Sequence, residues 1–147
     1  MKLTIAWIGK TKTAAVQSLT DEYLKRLRQY ADTPGIALKD ETALLKLAGR
    51  DGRGTRARLV LLDSRGKQLS SEEFADFLRD HQDRNPLPLI FAVGPADGFT
   101  PNVLSRADFR LSLGKMTMAH ELARVTLLEQ VYRAFTILKG HPYHLGH

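Results

Sequence analysis

Apolar residues fall into two alternating patterns along this chain. Short, nearly unbroken runs occur at Leu3–Ile8, at Arg58–Asp63 with Leu59, Val60, Leu61 and Leu62 at its centre, at Pro86–Val93 and at Phe109–Leu113. Each is bounded by glycine, proline or charged residues, and runs of this length without polar alternation predict strands buried on both faces of a parallel sheet. Between them the period becomes helical. Thr11–Tyr30 repeats Val16, Leu19, Tyr23, Leu24 and Leu27, and Ser70 with Glu73 forms a capping box that opens a helix through Phe74, Phe77 and Leu78. Thr100 as N-cap with Pro101 at the first position opens another helix. Ala119–Leu138 predicts a long helix whose apolar band, Leu122, Val125, Leu128, Tyr132, Phe135 and Leu138 widened by Val131 and Ile137, is broad enough to predict burial beyond its own domain. A weak strand at Ile36–Leu38 and a short helix at Glu41–Leu47 complete the order, and strands alternating with helices predict one α/β domain over residues 1–147 with a mostly parallel sheet.

Open sheets of this kind bind ligands at the carboxyl ends of their strands. Three such places carry suggestive residues: Leu62-Asp63, the glycine-flanked turn Gly94–Gly98, and the loop Gly114–Met118. Neither G-x-x-x-x-G-K-[ST] nor a post-strand G-x-G-x-x-G occurs, so P-loop and dinucleotide fingerprints are excluded, and without G-x-S-x-G nothing supports a hydrolase elbow.

Composition then narrows the chemistry. In 147 residues there are 22 Lys plus Arg against 16 Asp plus Glu, a formal charge of +6, and no cysteine. Thiolate zinc sites, cysteine nucleophiles and disulfide scaffolds are excluded, and the positive balance points to a polyanionic partner. The excess is uneven: from Lys46 to Lys67 seven basic residues face two acidic ones, and Gly49–Arg58 reads as a flexible, arginine-rich loop suited to phosphate contact. No apolar run approaches the ~20 residues a membrane helix needs, and Leu3–Ile8 is too short for a signal-peptide core, so a cytoplasmic location is expected.

Candidate reactive residues cluster late. His120 opens the long helix beside the Gly114–Met118 loop, with Arg124 one turn further on. The tail holds His141, His144 and His147 at even spacing, but Pro142 and Gly146 within it argue against the fixed ligands a metal site needs, so no metal is expected. Tyr143 and His144 are better suited to stacking on a base or exchanging a proton with one.

The run from Leu111 through Gly114, Lys115, Met116, Thr117, Met118, His120 and Arg124, continuing over Leu128–Phe135 to His141-Pro142-Tyr143-His144, resembles the signature of the RlmH family. The start from Met1 to Lys10, and Leu62-Asp63 with Gly66-Lys67, agree, so the resemblance covers nearly the whole chain. That family comprises small SPOUT-class methyltransferases. The resemblance implies a parallel sheet flanked by helices with a C-terminal deep trefoil knot, and a homodimer. It also implies S-adenosyl-L-methionine as cofactor and, as substrate, N3 of a pseudouridine in the helix 69 stem-loop of 23S rRNA in the 70S ribosome. By motif matching it implies cofactor contacts from Leu62, Gly94, Leu113, Gly114, Lys115, Met116, Thr117 and Met118. Catalytic roles fall to His120, Tyr143, His144 and Arg124, with Arg133 positioning RNA. Departures stand at Pro95, where the family has a glycine, at Ala119 for a proline, and at Leu145 for a basic residue. Two other readings stay open: a non-catalytic ribosome- or RNA-binding module, and a SPOUT methyltransferase with another RNA target.

Overall fold

The computed structural model describes residues 1–145, except for the side chain of His144. Its elements are β1 (Leu3–Ile8), α1 (Ala14–Leu27), β2 (Gly35–Leu38), α2 (Glu41–Leu47), β3 (Arg58–Gln68), α3 (Ser71–Arg84), β4 (Leu89–Val93), α4 (Pro101–Leu104), β5 (Phe109–Ser112) and α5 (His120–Leu138), then a 3-10 turn at Pro142–His144. The strands pair in the order β2-β1-β4-β3-β5, and every ladder is parallel. All carboxyl ends therefore lie along one edge of the sheet.

Side chains alternate across each strand. Leu3, Ile5, Trp7, Phe91 and Val93 join Leu24, Leu27, Leu78, Leu127, Val131 and Phe135 in one core, beneath α1, α3 and α5. Ala6, Ile8, Leu59, Leu61 and Ile90 join Leu44, Phe99 and Val103 in the other, beneath α2 and α4. Burying each such large side chain contributes about 1.5–3 kcal/mol, which is why the central strands tolerate no polar alternation. The capping box at Ser70 and Glu73 is present, with both reciprocal bonds formed.

Several boundaries differ from the sequence pattern, each for a local reason. α1 starts at Ala14, because Thr11, Lys12 and Thr13 are committed to α5 instead. β4 begins only at Leu89, since Pro86 and Pro88 lack the N–H a ladder needs. β3 runs on to Gln68: its register on Leu111 jumps from Leu62 to Lys67, so the polar residues between them bulge out of the ladder. A Cβ on Gly66 would come within 2.6 Å of the Arg110 carbonyl oxygen, so this bulge accepts only glycine. Thr100 makes no side-chain cap, and its N–H donates to Glu41 Oε2 at 2.8 Å instead.

The basic loop after α2 is not the loose segment the sequence predicts. Arg50 is almost wholly buried: its guanidinium donates to the carbonyls of Ala48 (2.8 Å) and Ala57 (2.9 Å) and to Asp108 Oδ2 (2.6 Å). Asp108 also accepts from the Leu59 N–H at 2.8 Å and from Arg56 at 3.2 Å, so one carboxylate ties the loop to the starts of β3 and β5. The broad band of α5 is likewise met mostly within the chain, where Leu127, Leu128, Val131 and Phe135 are buried; Leu122, by contrast, is exposed.

Candidate active site

A cavity of about 250 Å³ opens at the carboxyl ends of β4 and β5 and where β3 begins to bulge at Leu62–Ser64. Of the residues implied as cofactor contacts, Leu62, Gly94, Leu113, Gly114, Met116, Thr117 and Met118 line it, whereas Lys115 is exposed and does not. The loop holding four of them is shaped by Ser112, whose Oγ accepts from the Gly114 N–H at 3.1 Å and donates to the Gly114 carbonyl at 2.8 Å. Gly114 has a φ of 150°, in the range that favours glycine. Met116 is 88% exposed, an unusual setting for a large apolar side chain at a cavity mouth. Pro95 lines the cavity beside Gly94, where a Cβ would press to 3.1 Å from the Phe99 ring and oblige that ring to shift.

The first turn of α5 has two faces. His120 and Ala123 face the cavity. Glu121 and Arg124 turn to the loop after β1. The Glu121 carboxylate accepts from the N–H groups of Lys12 and Thr13, each at 3.3 Å. Burial opposes ionisation of Glu121, but these N–H bonds and the charges of Arg124 and His120 outweigh it and hold its pKa below the ordinary value. Arg124 is 1% exposed; its Nη1 donates to Thr11 Oγ1 at 2.6 Å, its guanidinium lies 4.2 Å from the Trp7 ring centroid, and Nε is buried with no partner among the described residues. Burial pulls its pKa down, while Glu121 works in the opposite direction. Arg124, expected among the residues that meet substrate, thus stands behind the cavity wall rather than in it.

Tyr143 lies elsewhere, half-buried on the flank of α1 and α5. Its ring meets Tyr132 edge-on at 4.8 Å, with the Arg133 guanidinium 5.3 Å from its centroid. Its hydroxyl donates to Glu129 Oε1 at 3.4 Å and lies 3.5 Å from the Tyr23 hydroxyl. Arg133 in turn holds Glu129 through an ion pair one helical turn away. Burial, then the Tyr23 bond and the Glu129 charge, push the Tyr143 pKa far up, so the phenol stays protonated and can donate a hydrogen bond. Glu129 went unnoticed in the sequence, although its i,i+4 spacing to Arg133 was the available signal. From His120 to Glu129 α5 rises roughly 14 Å at 1.5 Å per residue, so Tyr143 does not stand at the cavity of its own chain. The side chain of His144, and His147, lie outside the described residues, as does any metal reading built on them; among the described residues no group of three or more His, Asp or Glu is placed to hold a metal.

A parallel sheet flanked by helices is a fold shared with solved methyltransferase structures. The structure superposes on the SpoU methyltransferase AviRb from Streptomyces viridochromogenes, solved in complex with AdoMet, with a TM-score of 0.55 at 14% identity over 90% of this chain and 57% of that one. A probable methylase family protein from Haemophilus influenzae gives 0.58 at 13% identity over 97% of this chain and 70% of the other. The family model described as predicted SPOUT methyltransferase matches residues 1–144, and the chain belongs to that family of S-adenosylmethionine-dependent enzymes. Within it, the chain groups with proteins named ribosomal RNA large subunit methyltransferase H. The one from Koribacter versatilis is 58% identical over 147 residues and the full length of both chains; that of Geobacter sp. strain M21 is 40% identical over 98% of this chain and 99% of its own.

The cavity's donor set fits S-adenosylmethionine. Leu62, Val93 and Leu113 supply apolar walls for a flat purine, and the Asp63 and Asp97 carboxylates at the lining can accept from ribose hydroxyls. No helix of the described residues is long and apolar enough to cross a membrane.

Proposed function

We propose that this protein methylates N3 of a pseudouridine in the helix 69 stem-loop of 23S rRNA, acting on the 70S ribosome in the cytoplasm as a homodimer with its C-terminal segment knotted. Membership of the family and the names of its full-length relatives support ribosomal RNA as the substrate. Leu62, Gly94 and the Leu113–Met118 loop hold the cofactor, Lys115 contributing through its backbone. When bound there, S-adenosylmethionine supplies an electrophilic methyl group on a sulfonium.

The remaining work falls to the chain. N3 of the base carries a proton that must leave, and His120, facing the cavity, is positioned to take it on a ring nitrogen. Tyr143, kept protonated, turns its single O–H from Glu129 to a carbonyl of the base when the base enters, and His144 is the second tail residue suited to stack on that base or exchange a proton with it. Glu129 fixes the Tyr143 hydroxyl, and Arg133 fixes Glu129. Arg124 acts by holding the first turn of α5, and so His120, against the loop after β1.

One observation carries the dimer: the cavity and the Tyr143 cluster are about two and a half turns apart on α5, so a complete site needs the tail of a second copy. Calorimetric titration of S-adenosylmethionine, followed by mass spectrometry of ribosomes incubated with cofactor and enzyme, tests the reading. A methyl group on the helix 69 pseudouridine supports it. No cofactor binding at millimolar concentration leaves a non-catalytic RNA-binding module, and methylation elsewhere overturns the target.

A further inference from the structure

The arginine loop after α2 was expected to meet the polyanion, and its position changes what that contact can be. Parallel strands put the start of β3 at Arg58 and of β5 at Phe109 on the edge opposite the cavity. Lys46, Arg53, Arg56 and Arg106 gather there, around the Arg50–Asp108 pair. The two carboxylates in the group are already engaged: Asp108 binds Arg50, Arg56 and the Leu59 N–H, while Asp51 accepts from the Arg53 N–H at 3.0 Å. The loop is also built rather than loose. Ala57 N–H bonds the Ala48 carbonyl at 3.2 Å, and Arg106 Nη1 donates to the Arg50 carbonyl at 3.1 Å. A Cβ on Gly49 would come 2.7 Å from the Thr55 carbonyl oxygen, so the chain closes tightly on itself. Arg53 and Arg106 are left exposed, on a ledge whose base is closed by these contacts.

We propose that this ledge is a second RNA-docking surface, which grips phosphates of a stretch of ribosomal RNA separate from the nucleotide being methylated. β4 alone separates the two edges by about 16 Å at 3.3 Å per residue, so a phosphate on the ledge is not that of the target nucleotide. Exposed guanidinium groups gathered on one edge favour phosphate oxygens, which they meet in bidentate geometry. The inference rests on the ribosomal RNA reading above and deepens it: recognition is bipartite, and an isolated stem-loop engages only the cavity side.

The test compares wild type, Arg53→Gln and the double variant Arg53→Gln/Arg56→Gln for binding to 70S ribosomes, to protein-free 23S rRNA and to the isolated helix 69 hairpin, over a range of salt. Unfolding midpoints verify the fold; Arg53→Gln does not touch the Arg50–Asp108 pair. The double variant is expected to bind ribosomes and protein-free rRNA about tenfold more weakly, with a salt slope shallower by about 2, and the single variant about half as much on a logarithmic scale. Binding of the hairpin and of S-adenosylmethionine stays at the wild-type level. Unchanged ribosome binding overturns the proposal, and so does an equal loss on the hairpin, which would place the ledge beside the target nucleotide. A loss on ribosomes absent from protein-free rRNA makes the partner an acidic ribosomal protein and also overturns it. If the variants behave as expected but helix 69 is not the methylated site, the target assignment fails while the ledge stands.

Discussion

The guanidinium of Arg124 lies over the ring of Trp7, 4.2 Å from its centroid, in a setting where only 1% of the residue is exposed. Trp7 is near the end of β1 and pairs with Val93, the residue before Gly94 at the cavity. Arg124 also reaches Thr11, and its neighbour Glu121 reaches Lys12 and Thr13, so the two side chains tie the first turn of α5 to the loop after β1. Because His120 and Ala123 are on the opposite face of that turn, the clamp sets one wall of the cavity.

Removing the clamp should therefore damage both stability and cofactor binding. Arg124→Ala leaves a cavity against Trp7 and is expected to cost about 2–4 kcal/mol in urea unfolding, with weaker S-adenosylmethionine binding by calorimetry. Arg124→Met fills the space without a buried cation and is expected to recover most of the stability. A wild-type unfolding midpoint for Arg124→Ala would show that the contact is idle.

His81 gives the fold a pH dependence. It is 2% exposed, its Nε2 donates to the Leu87 carbonyl at 2.9 Å, and Arg58 lies 3.4 Å from Nδ1. Burial lowers its pKa from the ordinary 6.5, the Leu87 bond opposing this and the Arg58 charge adding to it. The unfolded state thus takes up a proton first as pH falls. Stability from this group is complete above about 6.5 and is lost as pH drops through the lowered folded value. Urea unfolding at pH 7.5 and pH 5 should show the decline, and His81→Phe should reduce it.

Gly66 sits where β3 bulges against β5. A Cβ would meet the Arg110 carbonyl oxygen at 2.6 Å, which is backbone and cannot swing aside. Gly66→Ala is expected to cost about 1–3 kcal/mol, read from chemical unfolding. An unchanged midpoint would mean that the bulge shifts freely.

Glu129 is expected to matter for turnover more than for folding. Its i,i+4 ion pair with Arg133 is mostly buried, but a glutamine there still accepts hydrogen bonds, so Glu129→Gln should cost about 1–2 kcal/mol. The glutamine oxygen can still accept from the Tyr143 hydroxyl, but loss of the charge removes one of the causes that hold the Tyr143 pKa up and weakens the hold of Arg133, and kcat on ribosomes should fall by roughly 10²-fold with cofactor affinity unchanged. Full turnover would remove the tyrosine cluster from the chemistry.

What was legible in the sequence follows from locality. Leu3–Ile8 and Leu59–Leu62 declared buried parallel strands because burial on both faces leaves no polar alternation, and the strand-end rule led to the residues that line the cavity. The loop Gly114–Met118 was visible for that reason. What stayed hidden depended on contacts distant in sequence. Residues Asp63–Gly66 look like an ordinary polar turn, yet Gly66 is fixed by backbone of β5. Arg50 reads as one more loop cation until Asp108, 58 positions away, is seen to claim it. Arg124 reads as a cation for the substrate until Trp7 and Thr11 enclose it. Charge spacing gives the sign of a surface; which arginines remain available on it is decided by tertiary pairing.

The account stands or falls on a site shared between two copies. Thr117→Trp blocks the cavity mouth, Tyr143→Phe removes the phenol, and each variant alone should be nearly inactive on ribosomes. Mixing them after dissociation allows heterodimers in which one intact cavity faces one intact tail. The account predicts recovery to about a quarter of the wild-type rate, since half the dimers are mixed and each has one working site. No recovery, with mixed dimers verified by mass spectrometry, would mean that each chain completes its own site and would contradict it.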